Sequence, residues 1–201
     1  LCAIDFFPGE AQRQAAQGVA ELERQVARLA APDEPRALPA GVPQISAATY
    51  RGRTWVTRAR PWVDRLACAW LIRRFIDPQA RFLWLADPAG TTPAPRAALG
   101  FDYDGARFTH VGTRVSFEVL MASFGLETDP GLVRLASIVH TLDFGGDPVP
   151  EAKGFEAVMA GARERLSDDD ALLAEMSTVL DSLYAHFVRE SLRASETGNK
   201  R

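Results

Sequence analysis

Two of the chain's three histidines, His110 and His140, fall in one stretch with Glu118 and Asp143, two carboxylates set among apolar residues. A carboxylate in apolar surroundings is costly unless it has a partner. Imidazole and carboxylate together suit a borderline or hard divalent metal, here iron, manganese or zinc. Asp64 is a fifth candidate donor, because it shares an otherwise apolar helical line with Cys68, Leu71 and Phe75. A second reading stays open on spacing alone. Glu118 near a helix N-terminus is favoured by the helix dipole without any metal. His140 and Asp143, three apart on one helix, can also bond each other or cap a loop.

Several elements must position these groups. Asp129-Pro130 marks a helix start, with Asp as N-cap and Pro at the first helical position. Leu132, Leu135, Ala136, Val139 and Leu142 then give an inward stripe as far as about Leu142. A shorter helix, capped by Ser116, runs from Phe117 to Phe124 and ends at Gly125. His110 closes a strand-like run, Arg107 to Val111, that follows an Asp102-Tyr103-Asp104-Gly105 turn.

Upstream, Arg53 to Arg58 reads as a strand, Pro61 to before Pro78 as a helix and Arg81 to Ala86 as a second strand. That is a β-α-β unit. After a Gly-Gly-Asp-Pro break, Pro150 to Ala162 and a long amphipathic stretch from Asp168 to about Leu192 are helical. The fold class is α+β: a small mixed sheet with a β-α-β unit, then a mostly helical C-terminal half. The domain spans 48–192, with a disordered tail over 193–201.

The totals bound the function. The chain has 201 residues, 47% of them hydrophobic, enough for one domain with a real core. A net charge of −3 argues against a nucleic-acid binder along its whole length. Two distant cysteines, Cys2 and Cys68, make no disulfide framework and fit a reducing cytoplasm. The first residues do not read as a signal peptide, and no apolar run approaches the roughly 20 residues of a membrane span. Residues 2–7 read as a strand, 10–30 as a helix and 32–47 as a proline-rich linker, so 1–47 reads as the end of an upstream domain plus a linker.

Charge is unevenly spread. Between Arg51 and Arg74 stand seven arginines against one acid, Asp64. Arginine suits two-pronged binding of oxyanions, and the turn at Arg58–Pro61 aims a helix N-terminus at any bound anion. Arg58, Arg60 and Arg65 are the candidate oxyanion ligands. The alternative is that these arginines pair with the acidic helices downstream. Cys68 reads as an inert core thiol and His186 as a surface residue.

The residues W-V-T-R-A-R-P-W-V-D-R-L-A-C-A-W-L-I-R-R-F-I-D-P from Trp55 to Pro78 resemble the C-terminal domain of ChrB-type chromate-resistance proteins. So do F-D-Y-D-G-A-R-F-T-H-V-G from Phe101, S-F-E-V-L from Ser116 and I-V-H-T-L-D from Ile138. The opening C-A-I-D-F-F-P-G-E resembles the end of that family's N-terminal domain. The resemblance implies a chromate-linked role, since members are encoded with chromate efflux pumps and some regulate that operon in response to chromate. It places DNA contact in the upstream domain only. The expected function is a sensory domain binding a metal, chromate or a similar oxyanion, in a cytoplasmic regulator able to form homo-oligomers. The alternative is an iron- or manganese-dependent redox enzyme handling superoxide or chromate. A third is a helical interaction domain whose polar cluster is structural.

Overall fold

The computed structural model describes Pro35, Gly41, Val42 and residues 44–198. The chain divides into two compact units, Leu1–Glu34 and Pro35–Arg201. The strand and helix expected over 2–30, and most of the proline stretch, lie outside the described residues. The end of that stretch is attached to the second unit, where the Ile45 amide donates to the Ser123 carbonyl at 2.7 Å.

A 3-10 turn, Ala47–Tyr50, leads into β1, Thr54–Arg58. Helix α1, Val63–Leu71, follows and widens into a π turn over Ile72–Ile76. Strand β2, Arg81–Leu85, then pairs parallel with β1 in the register Thr54 to Arg81 through Arg58 to Leu85. The expected β-α-β unit is present. The third strand is not. Arg107–Val111 contributes single bridges, Phe101 to Phe108 and Val111 to Arg114. The strand beside β1 is instead β3, Leu99–Gly100, also parallel, giving the order β2-β1-β3. The sheet is therefore parallel where a mixed one was expected. The expected run makes only these isolated bridges, and Gly112 turns the chain away with a positive φ of 62°.

Four more helices complete the fold: α2, Ser116–Ser123; α3, Pro130–Asp143; α4, Ala152–Arg165; and α5, Asp169–Gly198. Helix α3 starts as its sequence dictates, with Asp129 Oδ1 accepting from the Leu132 amide at 3.0 Å. The far oxygen of Asp129 accepts from the Tyr184 hydroxyl of α5 at 2.8 Å. Helix α5 continues to Gly198, so the tail expected to be disordered is helical as far as it is described. Arg193, Ala194 and Glu196 are good helix formers, and no proline interrupts them. None of the described helices is long and apolar enough to cross a membrane.

Helix α1 occupies the centre. Every residue from Val63 to Leu71 is buried. It contacts α2, α3 and α5. A one-sided apolar line does not reveal this; the all-round burial comes from helices packed on several sides. Indoles fasten α5 to this core: Trp70 Nε1 donates to Asp181 at 3.1 Å and Trp84 Nε1 to Asp170 at 3.1 Å.

Asp77 locks the β-α-β unit. It is buried and accepts from the Gly52 amide at 2.7 Å, the Arg53 amide at 2.9 Å, the Trp55 indole at 3.1 Å and the Gln79 amide at 3.1 Å. Burial pushes its pKa up, but these four donors outweigh that and hold it below the ordinary carboxylate value. Its contribution to stability is therefore present above the ordinary value and lost as pH falls through the folded one. Replacing Asp77 by Ala strands buried donors and should cost about 3 kcal/mol in urea unfolding, with the gap to wild type closing in acid. Gly131 lets α3 approach α5: a Cβ there would meet the Tyr184 ring at 2.7 Å and Val188 at 2.8 Å. Gly131→Ala should lower stability by about 1–3 kcal/mol, measured the same way.

Candidate metal centre

Asp64 enters the core in the first turn of α1, just past the C-terminal end of β1. Its Oδ2 accepts from the Ser116 amide at 2.9 Å and its Oδ1 from the Phe117 amide at 2.9 Å. These are the leading N–H groups of α2, so Asp64 caps that helix from a distance in sequence. Ser116 does not cap α2 itself. Val115 holds the N-cap position, and the Ser116 hydroxyl donates to Asp102 Oδ1 at 2.8 Å.

The remaining lone pairs of Asp64 face His110. His110 Nε2 stands 3.2 Å from Asp64 Oδ2, 3.3 Å from Asp143 Oδ2 and 3.6 Å from Asp102 Oδ1. Asp143 is the last residue of α3, and its side chain is 1% exposed. Asp102 takes a positive φ of 52° directly after β3 and its bridge residue Phe101. Strain of this kind persists where surrounding bonds fix it. Here the Arg65 guanidinium lies 3.1 Å from Asp102 Oδ2. Asp64, His110 and Asp143 can each point one donor atom into a common space, all within 4.8 Å of one another.

Three buried carboxylates around one imidazole leave the cluster short of positive charge, even with Arg65 beside it. The titration directions reflect this. Burial pushes Asp64 up, but His110 and the Phe117 amide pull it below the ordinary value. Burial raises Asp102 above the ordinary value despite Arg65. Cys68, whose thiol donates to Asp64 Oδ1 at 3.5 Å, is pushed far up by burial and then by the Asp64 charge. It is an inert core thiol, as expected.

The other two expected ligands form a separate pair. His140 Nδ1 stands 3.0 Å from Glu118 Oε2, which also accepts from the Val115 amide at 3.0 Å. Both are about a quarter exposed, beside a cleft of about 250 Å³ lined by Arg114, Glu118, Met121, Glu127 and Ala136. The pair is still within electrostatic reach of Asp64 and His110. Sequence spacing puts five donors in one pocket; the structure brings three of them together and joins the other two nearby. His140 and Asp143 are not bonded to each other. Asp102 and the partnership of Arg65 escaped sequence reading, because Asp102 carries a turn signature. Its one telling signal is its position between Phe101 and Tyr103.

Three of these arginines are occupied within the chain. The Arg60 amide donates to Asp169 Oδ2 at 2.9 Å, and its guanidinium to the Leu166 carbonyl at 2.7 Å and the Arg163 carbonyl at 2.6 Å. Arg65 is taken by Asp102, and Arg74 pairs with Asp181 at 3.2 Å. Arg58 is half-buried. His186 is exposed on α5, 3.5 Å from Glu190.

The two donor separations around His110 suit a metal. Bonds of about 2.0–2.2 Å to nitrogen and oxygen set adjacent ligand atoms about 3 Å apart. The separations of 3.2 and 3.3 Å around His110 are of that size. Two carboxylates and a neutral imidazole would also offset a divalent charge.

His140 titrates above its ordinary value because Glu118 accepts a hydrogen bond from it and its negative charge favours the imidazolium. That interaction stabilises the fold below about pH 6.5 and is lost as pH rises through the folded pKa. Glu118→Gln should therefore melt below wild type at pH 6 and approach it well above the folded pKa, read by thermal denaturation across pH.

The model of the ChrB C-terminal domain matches residues 55–187. Protein ChrB of Cupriavidus metallidurans is 57% identical over 184 residues, covering 92% of this chain and 56% of that protein. The chain thus spans about half the length of that curated relative. No solved structure matches it. With the match running from Trp55 in β1 to Phe187 in α5, and so through every element that supplies the cluster, the chain belongs to the ChrB family through its C-terminal domain.

Proposed function

We propose that this is the metal-binding sensory domain of a chromate-responsive regulator, with iron, manganese or zinc held by Asp64, His110 and Asp143. The observation that supports it is the convergence of His110 Nε2 with Asp64 Oδ2 at 3.2 Å and Asp143 Oδ2 at 3.3 Å. A bound divalent cation would supply the missing positive charge. It would also tie together the start of α1, the loop carrying His110 and the end of α3. Because Asp64 holds the first amides of α2, any shift of that carboxylate acts on α2 directly. A ligand moves such a domain only by binding two arrangements with different affinity.

Burial weighs against the redox-enzyme reading. A catalytic metal keeps a coordination position open to substrate. Here the side chains of His110, Asp64 and Asp143 are only 9%, 1% and 1% exposed. Chromate or a similar oxyanion, held by Arg58, Arg60 and Arg65, would be a second ligand, and the bonds already made by Arg60 and Arg65 weigh against it. Calorimetry with chromate and sulfate separates the two parts. No heat at millimolar anion removes the oxyanion and leaves the metal standing.

Dialysis against Mn²⁺, Fe²⁺ or Zn²⁺ followed by elemental analysis should find one ion per chain. Saturation at a hundred times Kd should stabilise the fold by about 2.7 kcal/mol. Asp143→Asn, which leaves the Asp64 cap on α2 intact, should lose the ion and the stabilisation while remaining folded. A protein that melts identically with and without millimolar metal excludes the metal centre.

A further inference from the structure

A cation held by side chains as buried as Asp64, His110 and Asp143 needs a way in, and Glu118 and His140 lie where one would run. Helix α2 starts at the cluster, where Asp64 holds the Ser116 and Phe117 amides, and α3 ends there with Asp143. The two helices pack against each other. Glu118 is the next residue of α2 after the held amides, and His140 sits one turn of α3 before Asp143. Their contact at 3.0 Å therefore bridges the two helices one step out from the cluster. Further out, Met121 on α2 and Val133, Ala136 and Ser137 on α3 line the cleft of about 250 Å³ that Glu118 also borders. Positions 133, 136, 137, 140 and 143 recur at three- and four-residue intervals, so they form one ridge along α3. That ridge runs from solvent to the buried carboxylate: Val133 is 45% exposed, the His140 side chain about a quarter exposed and the Asp143 side chain 1%.

The pair has the donors a passing cation needs. Glu118 Oε2 accepts from the Val115 amide at 3.0 Å and faces His140 Nδ1. A carboxylate there keeps the proton of a neutral imidazole on Nδ1, so Nε2 carries the lone pair. Imidazole beside carboxylate repeats the donor types of the buried cluster. Glu127 adds a second acid at the mouth of the cleft, held only by an exposed ion pair to Arg114 at 2.9 Å. Inward, His140 feels the charges of Asp64 and His110, so pair and cluster share one field. Building on the metal centre proposed above, we infer that Glu118 and His140 form a second, transient cation site, through which a divalent ion passes along the groove between α2 and α3 into the cluster. A group that holds the ion only in passing lowers the barrier equally in both directions. It sets the rates of loading and release and leaves affinity alone.

The test is stopped-flow mixing of the full chain with Co²⁺, read by tryptophan quenching, since Trp62 stands two residues from Asp64. An equilibrium titration runs beside it. Glu118→Gln/His140→Gln should bind and release Co²⁺ about tenfold more slowly, with Kd within about threefold of wild type. Ser137→Arg adds bulk and positive charge to the groove and leaves the pair intact. It should slow both rates as well, and it decides the matter if the double variant does not fold. Glu175→Gln, which removes an acid paired with Arg165 on α5, is the charge control and should keep wild-type rates. Unchanged rates in the groove variants, with wild type still binding Co²⁺, would overturn the route and leave the metal centre standing. So would a double variant that loads at the wild-type rate but releases faster, because the pair would then be holding the resting ion. An equal slowing in the control would overturn the route too. Absence of Co²⁺ binding by wild type would remove the metal centre and the route with it.

Discussion

A carboxylate at the centre of a helical core survives only if every lone pair is met, and Asp64 is met by groups from three directions. Its own helix presents it past the end of β1, and the first two amides of α2 hold one side of it. His110 faces what is left. Those bonds dictate the neighbourhood. Helix α2 must begin where its N-terminus meets Asp64, the loop before it must deliver His110, and α3 must end with Asp143 against the same imidazole. Asp102 then needs Arg65, which is why an arginine can be buried one residue after Asp64 on the central helix.

The same economy explains the division of the charged residues. Acids near the C-terminal ends of β1 and β3 are drawn inward around one imidazole, while Asp77 is drawn inward at the other end to tie the strand starts together. With that acid consumed by backbone and indole donors, the arginines around the strand starts are left facing outward. The domain thus has a buried face rich in carboxylate and an exposed edge rich in guanidinium, a separation that a net charge of −3 conceals.

Much of this was legible in the sequence. Asp129-Pro130 fixed the start of α3, the proline and apolar spacing fixed the β-α-β unit, and Asp64 stood out as a polar residue on an apolar line. Local signals carried those readings. What they could not carry was the meeting of distant segments. His140 and Asp143 look like partners because they are three apart, yet α3 ends so that each turns to a different neighbour, Glu118 and His110. Asp102 reads as a turn residue, and it is one, but the turn also carries its carboxyl inward to Ser116 and Arg65. The brief strand at Leu99–Gly100 leaves no sequence signal, because two residues are too few to show alternation. The longer run at Arg107–Val111 mimicked a strand while serving to bring His110 inward.

The most direct measurement is a crystal of this protein soaked in Mn²⁺ and recorded where manganese scatters anomalously. One anomalous peak should lie within bonding distance of His110 Nε2, Asp64 Oδ2 and Asp143 Oδ2 if these three hold the ion. Density showing His110 Nε2 still hydrogen-bonded to Asp64, with manganese absent or only at surface acids, would contradict it.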